Sequence, residues 1–165
     1  MHVVLHQPEI PQNTGNIGRT CVAVGAKLWL VRPLGFRLDA KHLRRAGMDY
    51  WQDLTYEAVD DWPALLRKLA GVRTWLVEGP SAEEPSPGGR CVWDADVCAS
   101  DAFVFGSEGR GLPRSILEAS PAARVWLPMP GPVRSLNLAS TVNTVCYEAL
   151  RRSHMPPGGA ASVAS

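Results

Sequence analysis

Short β-like apolar runs alternate with helical patterns along this chain, and that alternation constrains its fold more than any other feature. The runs are His2–His6 (HVVLH), Lys27–Val31 (KLWLV), Arg73–Val77 (RTWLV), Ala102–Phe105 (AFVF) and Arg124–Leu127 (RVWL). Strand–helix alternation of this kind predicts an α/β fold, with a mainly parallel sheet flanked by helices. Ligands of such sheets sit at the carboxyl ends of the strands. The loops after His6, Phe105 and Leu127 are therefore where chemistry is expected.

The helical segments have readable starts and stops. One is expected from about Thr14 to Ala26, with Asn13 or Thr14 as its cap. A short basic helix runs from a cap at Asp39 to Arg45 and ends at Gly47. Asp60 or Asp61 begins another, with Pro63 in its first turn and Leu65, Leu66 and Leu69 as its apolar face. A helix over Pro113–Ala119 follows the glycine-rich stretch Gly106–Gly111. The last helix spans Asn137–Arg152, where Leu138, Val142, Val145 and Ala149 form one buried stripe. Gly79–Gly89 reads as a loop, residues 1–152 as a single domain, and residues 153–165 as a mobile tail.

The chain has 165 residues, 45% hydrophobic and 20% charged, which suits one globular core and excludes collagen, coiled coil and general disorder. No apolar run approaches the roughly 20 residues of a membrane span. The first basic side chain is Arg19, and prolines at 8 and 11 interrupt any leader-like segment, so a cytoplasmic protein is expected. Cys21, Cys91, Cys98 and Cys146 make no C-x-x-C pair and the histidines have no ligand spacing, so reduced structural thiols and no metal are expected.

A net charge of +1 is too small for a protein that grips a long duplex by its phosphates. A small nucleic acid, a local basic patch or a small molecule stays open. Arg37, Lys41, Arg44 and Arg45 make the best patch; a solvated helix face is the alternative.

Three stretches carry candidate chemistry. Gly106-Ser-Glu-Gly-Arg-Gly111 follows an apolar strand, and its glycines permit close backbone approach to a small molecule. It is neither G-x-G-x-x-G nor a P-loop, and a plain turn is its alternative. Pro11–Arg19 crowds Asn13, Thr14 and Asn16 at a helix N-terminus that favours anions, with Arg19 close to whatever binds there. Capping alone also explains Asn13 or Thr14. Leu127–Leu138 is stiffened by prolines at 128, 130 and 132 and leads through Ser135 and Asn137 into the long helix; a capping turn with Ser135 as N-cap is the alternative.

Together these stretches resemble the SPOUT superfamily of S-adenosylmethionine-dependent RNA methyltransferases. The nearest likeness is to its small tRNA 2′-O-methyltransferases of the anticodon wobble nucleotide, cytidine or uridine. Glu9-Ile-Pro-Gln-Asn-Thr-Gly-Asn-Ile17 with Arg19, Pro33-Leu-Gly-Phe36 and Leu43-Arg-Arg-Ala-Gly-Met-Asp-Tyr50 match that subfamily. Phe105–Pro113 and Arg134–Leu138 match the superfamily's cofactor motifs, and the likeness covers roughly residues 1–152.

The resemblance implies a C-terminal trefoil knot and a homodimer. It implies that S-adenosylmethionine binds against Val77, Gly106, Leu127, Ser135 and Asn137 and leaves as S-adenosylhomocysteine. Arg19, Asn13 and Glu108 become the catalytic candidates. Arg37, Lys41, Arg44, Arg45, Arg110 and Tyr147 become candidates for holding the tRNA anticodon stem-loop, with Tyr147 alternatively a dimer contact. A guanidinium stays protonated near neutral pH, so Arg19 is expected to stabilise a developing alkoxide rather than act as a base.

Departures from the subfamily pattern are Ser107 for Pro, Gly109 for Thr, Val133 and Ala139 for Ser, and Glu78-Gly-Pro80 for a Thr-rich continuation. A methyltransferase for ribosomal RNA or another tRNA position, and a binding dimer without turnover, are the rival readings. A doubly wound methyltransferase is disfavoured because Val31 leads into Arg32 and Pro33 rather than an acid.

Overall fold

The computed structural model describes residues 1–37, 49–79, 88–133 and 135–154. The expected helix at Asp39–Arg45, most of the loop at 79–89, Arg134 and the tail beyond residue 154 lie outside the described residues.

Seven strands form one sheet: β1 (His2–His6), β2 (Lys27–Val31), β3 (Tyr56–Val59), β4 (Thr74–Glu78), β5 (Arg90–Cys91), β6 (Ala102–Phe105) and β7 (Arg124–Trp126). Their order is β3-β2-β1-β6-β4-β7-β5, and every pairing among them is parallel. His2 lies opposite both Lys27 and Ala102, and Thr74 opposite Ala102, so the central strands end level with one another. β6 enters between β1 and β4, and β7 between β4 and β5. The last two strands are thus interleaved with strands that precede them in the chain.

Near-continuous apolar runs are what a sheet covered on both faces demands. Val3, Leu5, Leu28, Leu30, Phe103 and Phe105 face α1 (Pro11–Val24) and α4 (Leu138–His154), packing on Ile17, Cys21, Val142, Val145 and Ala149. Val4, Trp29, Leu76 and Val104 point the other way, onto Leu65 and Leu69 around α2 (Trp62–Lys68) and Ile116 of α3 (Arg114–Ala119). Deleting Phe103, which is fully buried, would cost about 3–5 kcal/mol. Burial also keeps Cys21 and Cys146 neutral, pushing the Cys146 thiol up to about 12.

Several local expectations are corrected. β3 and β5 were not expected; β3 is an edge strand whose Glu57 pairs with Lys27 and Lys68. α1 starts at Pro11 rather than Thr14, because proline fits the first helical position, and neither Asn13 nor Thr14 caps it. Asp61, not Asp60, caps α2 by accepting from the Ala64 amide at 2.7 Å, and Leu66 is exposed. Asn137, not Ser135, caps α4: its Oδ1 accepts from the amides of Ala139 and Ser140 at 2.9 and 3.3 Å.

At the amino edge of the sheet, buried Asp101 accepts from Arg73 (Nε 2.9 Å, Nη2 2.8 Å), Trp75 Nε1 at 2.8 Å and the Cys98 amide at 2.9 Å. Burial opposes its charge, but these donors outweigh burial and hold its pKa below the usual carboxylate value. Chemistry is left to the opposite edge.

Candidate active site

A cavity of about 1110 Å³ opens at the carboxyl ends of β4, β6 and β7. Its walls are the loops after β1, β6 and β7, the three singled out from sequence. Level strand ends bring the loop after β1 to the other two, although Asn13 is 95 residues from Glu108 and 124 from Asn137.

Glu108, at the tip of the β6 loop, joins them. Its Oε2 accepts from the Glu9 amide at 2.8 Å, and its Oε1 from the Ile10 amide at 3.3 Å and from Asn13 Nδ2 at 3.0 Å. The carboxylate thereby takes up the amides of Glu9 and of the N-cap residue Ile10, just ahead of α1, and its charge complements the helix dipole. Asn13 Oδ1 in turn accepts from Asn137 Nδ2 at 2.9 Å, while Asn137 caps α4. Asn13, Glu108 and Asn137 therefore form one chain of hydrogen bonds across three loops. The link is returned from below: Glu9 Oε2 accepts from the Gly109 amide at 3.1 Å, and Arg110 ion-pairs with Glu9 at 3.8 Å.

The glycine loop is folded tightly. A Cβ on Gly106 would lie 2.0 Å from the Gly111 carbonyl carbon, so no side chain fits there. Ser107 and Gly111 exchange backbone hydrogen bonds at 3.2 and 2.9 Å, closing the turn that exposes Glu108. The far wall holds a part-buried ion pair, Glu78 with Arg124, whose Nε donates to Glu78 Oε1 at 2.6 Å. Gly89, at φ +90°, packs against the Arg124 carbonyl so closely that a Cβ would stand 2.1 Å from its oxygen.

These surroundings suit a nucleoside-sized organic molecule. Val77, Phe105, Leu127 and Met129 offer apolar surface, the Gly106–Gly111 backbone offers amides and carbonyls, and the carboxylates of Glu78, Glu108 and Glu118 are matched by Arg110, Arg114 and Arg124. Small-molecule sites combine such apolar walls with a few placed polar groups.

Val77, Gly106, Leu127, Ser135 and Asn137, expected at a cofactor, all line the cavity, as do Asn13, Glu108 and Arg110. Arg19 does not: it is exposed on α1, its guanidinium 4.6 Å from the centroid of the Tyr50 ring. Six residues beyond Asn13, it stands about 9 Å further along the axis and well around the helix, outside the cavity of its own chain. Arg37 and Tyr147 are exposed and are not among the described residues lining the cavity. Lys41, Arg44 and Arg45 lie outside the described residues. Glu9, Glu78 and Arg124 were not among the candidate site residues, although Glu9 opens a stretch that matches the subfamily and Glu78 begins one that departs from it.

Comparison with known proteins agrees with this geometry. The model of the SpoU rRNA Methylase family matches residues 1–147. The tRNA (cytidine(34)-2′-O)-methyltransferase of Methylovorus glucosotrophus (strain SIP3-4) is 42% identical over 151 residues, 91% of this chain and 94% of that protein. A solved structure concerned with 2-OH methylation of C/U34 on tRNA superposes with a TM-score of 0.81 at 43% identity, covering 92% of this chain and 94% of that one. The AdoMet-bound rRNA methyltransferase from Sinorhizobium meliloti gives a TM-score of 0.75 at 26% identity over 92% of this chain and 55% of its own. The match runs through all three loops that build the cavity, and the chain belongs to the SpoU rRNA Methylase family, with the knotted α/β fold of the SPOUT methyltransferases.

Proposed function

We propose that this chain methylates the ribose 2′-hydroxyl of the anticodon wobble nucleotide of tRNA, cytidine or uridine 34, with S-adenosylmethionine as methyl donor. The observation that carries this reading is the Asn13–Glu108–Asn137 chain, which ties the start of α1 to the two loops forming the cofactor cavity. Relatives sharing nearly the whole chain act at that nucleotide.

S-adenosylmethionine supplies an electrophilic methyl group on a sulfonium. Val77, Gly106 and Leu127 would hold it through backbone and apolar contacts, with Ser135 and Asn137 closing the cavity. Asn13 and Glu108 fix the start of α1, so the helix bearing Arg19 has one position relative to the cavity. Arg19 stabilises charge developing on the 2′-oxygen, and the hydroxyl proton leaves to water or an RNA phosphate. Holding the reactants in line supplies much of the rate. Exposed Arg37 and Arg110, with Lys41, Arg44 and Arg45, supply phosphate contacts. The active form is a homodimer; the placement of Arg19 outside its own chain's cavity and the exposure of Tyr147 (51%) support this.

The test is transfer of labelled methyl from S-adenosylmethionine to tRNA from cells lacking this gene, followed by nucleotide mapping. Label on the ribose of nucleotide 34 is expected. Label only in ribosomal RNA, or at another tRNA position, overturns the substrate assignment.

A further inference from the structure

We propose that Tyr50 is a positioning residue for Arg19; the inference rests on the role given to Arg19 above. Gly15, Gly18 and Arg19 are spaced three and four residues apart, so they share one face of α1. Glycine weakens a helix interior, and two on one face call for a packing reason. The segment Asp49–Leu54 provides it. A Cβ on Gly18 would stand 3.1 Å from both the Trp51 ring and the Leu54 side chain, and Tyr50 Oη donates to the Gly15 carbonyl at 2.8 Å.

The bare ridge of α1 thus seats this segment in one register, and that register sets the Tyr50 ring beneath the Arg19 guanidinium at 4.6 Å. Tyr50 is held at both ends, its ring against the main core cluster and its hydroxyl on α1. A fixed aromatic face within cation–π range favours the rotamers that keep the guanidinium over it. A cation already in place costs no reorganisation when charge develops on the substrate, which is how such a contact raises kcat rather than affinity.

The experiment measures kcat and KM for Tyr50→Leu and Tyr50→Phe, each in the parent and in an Arg19→Ala background. Tyr50→Leu is expected to lower kcat about five-fold, the scale of an exposed cation–π contact, and to leave KM for S-adenosylmethionine unchanged. Tyr50→Phe, which keeps the ring, retains most of the rate. With Arg19→Ala already present, Tyr50→Leu has no further effect. Losses that multiply, or a fully active Tyr50→Leu, overturn the proposal. A fully active Arg19→Ala overturns the reading of Arg19 first, and this inference with it. Should Tyr50→Leu fail to fold, progressively fluorinated phenylalanines at position 50 keep the shape while weakening the ring's negative face. The rate must then fall stepwise with fluorination, and a flat series refutes the role.

Discussion

Glu108→Gln tests how much of the site depends on a single carboxylate. Glu108 accepts from three donors, the Glu9 and Ile10 amides and Asn13 Nδ2, and has no donor of its own when ionised. Glutamine keeps one oxygen. Its best placement leaves that oxygen with Ile10 and Asn13 and turns an amide N–H toward the Glu9 N–H, where two donors face each other. The loss is one hydrogen bond to a charged group, about 1.5–3 kcal/mol, plus about 0.3–1 kcal/mol from the helix dipole. Glu108 is only half-buried, so water recovers part of this and the expected loss is about 1–2 kcal/mol. Urea unfolding at one fixed protein concentration measures it, since subunit association would otherwise move the midpoint. Titration with S-adenosylhomocysteine should show weakened binding as well, because the glycine loop that walls the cavity loses its tie to the Glu9 amide. Glu108→Ala, which strands all three donors, should be worse than Glu108→Gln. A glutamine variant with parental stability and parental cofactor affinity would refute the claim that this carboxylate holds the loops together.

Other perturbations have equally definite outcomes. Asp101→Asn should destabilise the fold by about 2–3 kcal/mol in urea unfolding, since Arg73 and Trp75 lose a charged acceptor. The native carboxylate pKa is depressed, so its stabilisation is complete above the unfolded-state value near 3.9 and is lost as pH falls below that toward the folded value. The parent should therefore lose stability in that acid window while the Asn variant stays flatter. Thr14 is fully buried and its hydroxyl has no partner among the described residues, so Thr14→Val should raise stability by about 1 kcal/mol; a fall would reveal a bonded hydroxyl. Reversing Arg37 and Arg110 together should weaken tRNA binding and reduce the slope of log affinity against log salt by about two, and an unchanged slope would remove both from the phosphate contacts.

The strands buried on both faces were legible because they are apolar throughout. Val3, Val4 and Leu5 must be buried whichever way they point. β3 was not legible: Tyr56-Glu-Ala-Val59 has no apolar run, and it becomes a strand by pairing with β2, which buries Val59 and sets Glu57 beside Lys27 and Lys68. β5 has two residues and exists only through its pairing with Val125 and Trp126. Asn13 misled because it has the chemistry of a cap and the true acceptor, Glu108, is 95 residues away. The cavity-lining residues came from family likeness rather than from periodicity, which cannot report which loops meet. The distance of Arg19 from Asn13 follows from helix geometry alone, whereas its approach to the Tyr50 ring is a tertiary contact that no local pattern reports.

The interleaving of β6 and β7 also fixes when the site comes into being. Glu108, Leu127 and Asn137 follow β6 and β7, which sit between strands that precede them in the chain. Without those two strands in place, β1, β2 and β4 carry no cavity. Any ligand of the cavity therefore binds only finished molecules and draws the population toward them by mass action. Occupancy of the site doubles as a quality check on its own assembly: the same molecule that would serve as methyl donor marks which chains have been threaded.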